Sequence, residues 1–269
     1  MSEAPHPFDT AIALQAEGGA FHGSTSPAYA NMIGPYGGIT AAQALAAILQ
    51  HPDRLGEPIA FTINFAAALA DGAFEIRPRA ARTNRSTQHW TLEIVQGDGV
   101  VATATAVTAT RRETWSGHEA EMPEVPRPLD VPRTPRRGVE WLNRYDMRFL
   151  AGFIPRDWKG QETDDSLTRL WVRDDPPRPL DFASLTAAAD VFFPRVWLRR
   201  ATFTPIGTVS MSVYFHATSE QLQATGDGWL LVQAKGQGFG GGYFDHSGQL
   251  WNEAGELLAT THQVVYFKE

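Results

Sequence analysis

Residues 256–268 read as a strand on which Leu257, Ala259, Thr261, Gln263, Val265 and Phe267 share one face. Gln263 is therefore an amide among mainly apolar neighbours. A buried amide needs partners for both its oxygen and its nitrogen. Neighbouring backbone can supply them, and so can a positioned water and a substrate. Ser210 and Ser212 in residues 208–217 pose the same question, as does Asn64 in residues 59–69. The eight histidines show no metal spacing. His216 ends an apolar strand, His262 flanks Gln263, and His246 follows Asp245 beside a predicted turn, which reads as solvated. No serine sits in a G-x-S-x-G elbow. With 0 cysteines, thiol nucleophiles and thiolate metal sites are excluded. Gly236-Gln237-Gly238-Phe239-Gly240-Gly241 fits G-x-G-x-x-G, but residues 243–248 after it carry turn chemistry rather than a helix. The stretch reads as a bent strand or bulge.

A second chemical feature is backbone. Tyr36-Gly37-Gly38 leads into Ile39-Thr40-Ala41-Ala42-Gln43-Ala44-Leu45-Ala46-Ala47-Ile48-Leu49, a helical run that is apolar nearly all round and so expected to be buried. The first amides of a helix have no partner within it, and they can bind a phosphate or polarise a carbonyl.

Around these features the chain alternates helix and meander. The first helix ends near Gln50, before His51-Pro52-Asp53. Strands are predicted at 59–69, 74–83, 86–96 and 100–110, with turns at Asp71-Gly72 and Gly97-Asp98-Gly99. Residues 111–138 are rich in Pro, Arg and Glu and read as an extended linker whose arginines are solvated. Beyond it come strands at 146–151 and 166–173 joined by a polar loop, and a helix over 181–193 with Asp181 as N-cap and Pro194 as stop. Strands follow at 208–217, 228–235 and 256–268.

The two halves superpose in order. Phe61-Thr62-Ile63-Asn64-Phe65 answers Val209-Ser210-Met211-Ser212-Val213, Ala81-Arg82-Thr83-Asn84 answers Ala234-Lys235-Gly236-Gln237, and Val100-Val101-Ala102 answers Leu257-Leu258-Ala259. A separation of about 150 residues suits a duplicated domain rather than a solenoid repeat. The expected domains are 1–110 and 139–269, with the linker at 111–138.

Composition bounds the function. In 269 residues, 43% hydrophobic and 20% charged side chains describe a globular chain with a substantial core. A formal net charge of -7 argues against sequence-independent nucleic-acid binding. No apolar run reaches membrane-spanning length, and the first residues lack the basic and apolar segments of a signal peptide, so a cytoplasmic protein is expected.

Residues 37–45 with Arg85-Ser86-Thr87-Gln88-His89-Trp90, then residues 209–216 and 250–263, resemble TesB-type acyl-CoA thioesterases over nearly the whole chain outside the linker. The resemblance implies an α+β double hotdog: two helices, each wrapped by an antiparallel sheet, with the sheets joined. It implies hydrolysis of an acyl thioester by a positioned water, coenzyme A thioester being the substrate and no cofactor or metal being needed. A homo-oligomer is compatible with the sequence, which specifies no oligomeric state. In that family an aspartate, a threonine or serine, and a glutamine of the second half position the water. The glutamine carries over to Gln263, the hydroxyl position falls at Gln237, and the aspartate position falls at Ser210. A serine hydroxyl is a very weak base, so slower or different chemistry is expected there. The resemblance assigns the carbonyl-polarising amide to Gly37 or Gly38, behind Tyr36, and makes Arg85 the partner of coenzyme A phosphates. Asn64 completes the expected substrate surface. Two alternatives stand beside hydrolysis. An acyl-thioester hydratase or dehydratase needs a proton shuttle, for which His216 is the nearest histidine. A non-catalytic hotdog would bind an acyl or other apolar ligand.

Overall fold

The computed structural model describes residues 4–136, 138–154 and 162–269. The first half contains α1 (Pro7–Ala11), β1 (Gln15–Glu17), β2 (Ala20–Ser24), α2 (Gly37–Leu49), β3 (Glu57–Phe65), β4 (Ala73–Thr83), β5 (Thr87–Gln96) and β6 (Gly99–Ala109). The second contains β7 (Tyr145–Ala151), β8 (Thr168–Asp174), α3 (Phe182–Ala188), α4 (Arg195–Arg200), β9 (Ile206–Phe215), α5 (Ser219–Thr225), β10 (Leu230–Gly240), β11 (Tyr243–Asn252) and β12 (Leu257–Phe267). Part of the polar loop after β7, residues 155–161, lies outside the described residues.

The strands form one twelve-stranded sheet ordered β1-β2-β4-β5-β6-β3-β9-β12-β11-β10-β8-β7. Read outward from the centre, each half repeats the same order, so the duplication is spatial as well as sequential. Antiparallel pairing of β3 with β9 joins the halves, through Thr62 opposite Ser212 and Ile63 opposite Met211. This is the double hotdog: the curved sheet wraps the helix pair α2 and α3, which pack on each other. The short β1 and β2 are strands that the sequence pattern does not predict.

Helix α2 is buried from Gly38 to Ile48, as its nearly uniform apolar surface requires. Its one long polar side chain, Gln43, donates to Ala11 O at 2.7 Å and Ser24 O at 3.1 Å, which ties α1 and β2 to the helix. Small side chains let the helices approach closely. A Cβ on Gly38 would stand 2.6 Å from Ala187 O, a contact that only glycine avoids.

Helix α3 starts as expected, with Asp181 and Ser184 forming a capping box. It ends at Ala188, several residues earlier than its alanine content suggests. The final turn tightens into three-residue bonds, Asp190 N to Ala187 O at 3.1 Å and Val191 N to Ala188 O at 3.4 Å. A β-branched residue, two aromatics and Pro194 then follow, which disfavour further helix. Asp190 is thereby released from the helix and lies just past its C-terminus.

The Pro- and Arg-rich segment is a strap with anchored arginines rather than a solvated tether. Arg111 donates to Phe215 O at 2.8 Å and Ala217 O at 3.0 Å, while Arg133 and Arg136 pair with Asp175. Met122, Val125 and Val131 cover Trp171, Trp229 and Leu231 on the outer face of β8 and β10.

Candidate functional site

Gln263 faces inward from β12 and is 2% exposed. Its Nε2 donates to Asp190 Oδ1 at 2.9 Å and to Ala189 O at 3.3 Å. Asp190 meets α2 from the other half. The Gly38 amide hydrogen-bonds to its carboxylate, and a Cβ on Gly37 would stand 2.8 Å from its Oδ2. The N-cap of α2, Tyr36, offers no side-chain acceptor to the first turn. The carboxylate of Asp190 supplies the negative partner that this helix terminus lacks. Burial pushes the Asp190 carboxyl up to about 7, while the hydrogen bonds from Gln263 and Gly38 pull against that rise. Asp190 is partly buried.

Tyr36 braces this junction. Its hydroxyl donates to Ala187 O at 2.6 Å, satisfying a carbonyl at the end of α3, and its ring stacks on Trp141 with centroids 4.2 Å apart. Gly37, Gly38, Asp190 and Gln263 thus converge where the N-terminus of α2 meets the C-terminus of α3. The arrangement offers a helix N-terminus without a side-chain cap from its own N-cap residue, beside a carboxylate with near-neutral pKa and an amide that fixes it. Such a set can orient a water and stabilise negative charge on a carbonyl oxygen.

The other residues singled out in the sequence lie elsewhere. Ser210 does not substitute for a carboxylate beside Gln263, because strand parity turns it away: Met211 pairs with Gln263, whereas Ser210 pairs with the exposed Val264. Asn64 faces Ser210 across the joint between halves and shares that outer face. Gln237 is exposed, and its Nε2 donates to Ser247 Oγ at 3.0 Å and Lys235 O at 3.2 Å. The bulge after Gly236 in β10 leaves it outside. His216 is exposed beyond the end of β9, near Thr260 at 3.3 Å. Arg85 is exposed in the turn between β4 and β5. That hairpin is held to the loop after α2 by Gln88, which bonds Leu55 N and Asp53 O. Arg85 therefore lies at the opposite end of α2 from Gly37, across a helix of 13 residues, roughly 20 Å.

Two inward residues were not singled out for the site. Asp190 reads in sequence as the interior of a helix, and the signal for its release is the Val-Phe-Phe-Pro run after it. His246 reads as solvated, yet it is 3% exposed and sits directly opposite Gln263 on β11. The hairpin turn falls at Gly241-Gly242, so β11 already includes His246.

A model of the acyl-CoA thioesterase N-terminal domain matches residues 26–109, and one of the C-terminal domain matches residues 119–267. A hot dog fold protein of unknown function from Alicyclobacillus acidocaldarius is 48% identical over 99% of both chains, with a TM-score of 0.94. The acyl-CoA thioesterase II TesB2 of Mycobacterium marinum aligns over 97% of this chain and 96% of its own at 20% identity and a TM-score of 0.76. The tesB protein of Mycobacterium avium subs paratuberculosis aligns over 97% and 98% at 19% identity and a TM-score of 0.79. At those identities the two mycobacterial structures speak for the fold alone. No curated protein matches the sequence.

Proposed function

Since the chain belongs to the acyl-CoA thioesterase family, we propose that it hydrolyses acyl-CoA thioesters at the junction of α2 and α3, with Asp190 as general base. The contact of Asp190 with Gln263 and the open end of α2 carries this reading. Asp190 takes a proton from water as the water oxygen bonds to the thioester carbon. Gln263 holds the carboxylate in place. The backbone amide of Gly37 stabilises the carbonyl oxygen as it becomes negative, an effect worth about 3 kcal/mol for one well-placed donor. The C–S bond then breaks, and the proton on Asp190 passes to the departing thiolate. A base near neutral pKa suits this exchange, since it is both ionised at working pH and able to return the proton.

The carboxylate at Asp190 removes the motive for a non-catalytic reading based on Ser210. A hydratase reading through His216 loses support, because that residue is exposed beyond the end of β9. The test is thiol release from a panel of acyl-CoAs of increasing chain length. Hydrolysis is expected, unaltered within about twofold in Ser210→Ala and reduced on the order of 1000-fold in Asp190→Asn. Full activity in Asp190→Asn would refute the assignment. Consumption of enoyl-CoA without thiol release would favour the hydratase.

A further inference from the structure

His246 is a buried polar side chain beside the site that the hydrolytic scheme leaves unused. Both ring nitrogens are buried without a hydrogen-bond partner. A buried imidazole so placed costs free energy unless something engages it. Its surroundings narrow the partner. On β10 it faces Gly236, which has no side chain and whose amide donates to Ser166 Oγ at 2.9 Å. Above it lies the Phe192 ring, edge-on with centroids 5.6 Å apart. Arg195 is nearby, but its guanidinium is committed to the carbonyls of Phe193, Ser166 and Ala234. On β12 it faces Gln263, and diagonally Thr261, which pairs with Gly248. Directly opposed side chains on one sheet face stand about 5 Å apart at Cβ. Thr261 Oγ1 is likewise buried without a partner.

Gln263 can accept such a bond. Its Nε2 serves two oxygens, Asp190 Oδ1 and Ala189 O, and that leaves Oε1 to accept. We propose that His246 is a positioning residue for the proposed hydrolysis: its imidazole N–H donates to Gln263 Oε1, and its other nitrogen accepts from the Thr261 hydroxyl. A rotation of the ring or one bridging water completes the row. The bond locks the Gln263 amide against a flip that would turn Oε1 toward the Asp190 carboxylate. Burial, reinforced by the charge of Arg195, holds the imidazole down to about 3, so the ring is neutral and has one donor and one acceptor at working pH.

The inference rests on the Asp190–Gln263 reading of the site, and the two fail separately. Expected in His246→Phe is a fall in kcat of about 10- to 100-fold with KM within about threefold, the mark of a misplaced reacting group rather than lost binding. His246→Asn, which keeps a donor, recovers most of that loss. In a Gln263→Ala background His246→Phe costs nothing further, since the residue acts through the amide. Retention of wild-type kcat in folded His246→Phe, or an undiminished loss in the Gln263→Ala background, overturns the proposal while Asp190→Asn remains inactive. If Asp190→Asn is itself active, the underlying site reading has failed instead. Should His246→Phe not fold, imidazole 15N resonances decide: Gln263→Ala shifts the His246 N–H signal if the bond exists, and an unmoved signal contradicts it.

Discussion

The duplicated fold presents two ends of its helix pair, and they are built differently. At one end the N-terminus of α2 has no cap of its own, and Asp190, Gln263 and His246 gather around it. At the other, the N-terminus of α3 is closed by its own Asp181, whose side chain accepts from Ser184 N at 2.8 Å. The strand positions answering Gln263 and His246 are Ala106 and its cross-strand partner Trp90. Trp90 is 1% exposed and its indole N–H is satisfied by Thr108 Oγ1 at 3.1 Å. His51, two residues past α2 as Asp190 is two past α3, packs its ring on Trp90 with centroids 4.9 Å apart. Duplication supplied two equivalent positions. One was filled with apolar, self-satisfied groups, and the other kept polar groups whose needs cross between the halves.

Substitutions can break this contrast in graded ways. The largest effect is the loss of hydrolysis on removing the Asp190 carboxylate, described above. Gln263→Ala follows, with an expected fall in kcat of about 100-fold and little change in KM, measured by steady-state thiol release. A third effect is on stability and runs the other way. The unfolded carboxyl titrates near 3.8 and the folded one near 7. Between those values the native state holds a proton that the unfolded chain has released, so stability from this group falls as pH rises through that window. Asp190→Asn should therefore be more stable than wild type by roughly 4 kcal/mol at pH 8 and no different near pH 3, as read by urea unfolding at both pH values. A group that lowers stability at its working pH marks the functional end. The smallest effect belongs to the other end, where His51→Asn should leave hydrolysis within about twofold. A large loss there would mean that both ends act.

Much of the architecture was legible because it rests on local pattern. The apolar run of α2, the alternation of β3 and β12 and the repeated order of segments all follow from side-chain periodicity. So did the inward face of Gln263 and the open backbone at Gly37-Gly38. What escaped depends on contacts distant in sequence. The end of α3 is set by a tight final turn and by packing against α2, so Asp190 looks helical until the fold releases it. Ser210 was misplaced by a single step of strand parity, which reverses the face of every side chain. His246 looked solvated because a glycine-rich approach obscured where β11 begins. Arg85 lies at the far end of α2 from Gly37, a placement that only the distant contacts of Gln88 reveal.

The central claim is that an ionised Asp190 takes the proton of the attacking water. Its most direct test is the pH dependence of kcat/KM for thiol release in the wild-type protein and in Asp190→Asn. The protein described here should show a rate that climbs with pH through one ionisation near 7 and then levels, because the base works only once its proton is gone. In Asp190→Asn that ionisation should vanish along with nearly all of the rate. A wild-type profile flat across pH 5 to 9, or an Asp190→Asn variant that keeps both the rate and the inflection, would contradict it.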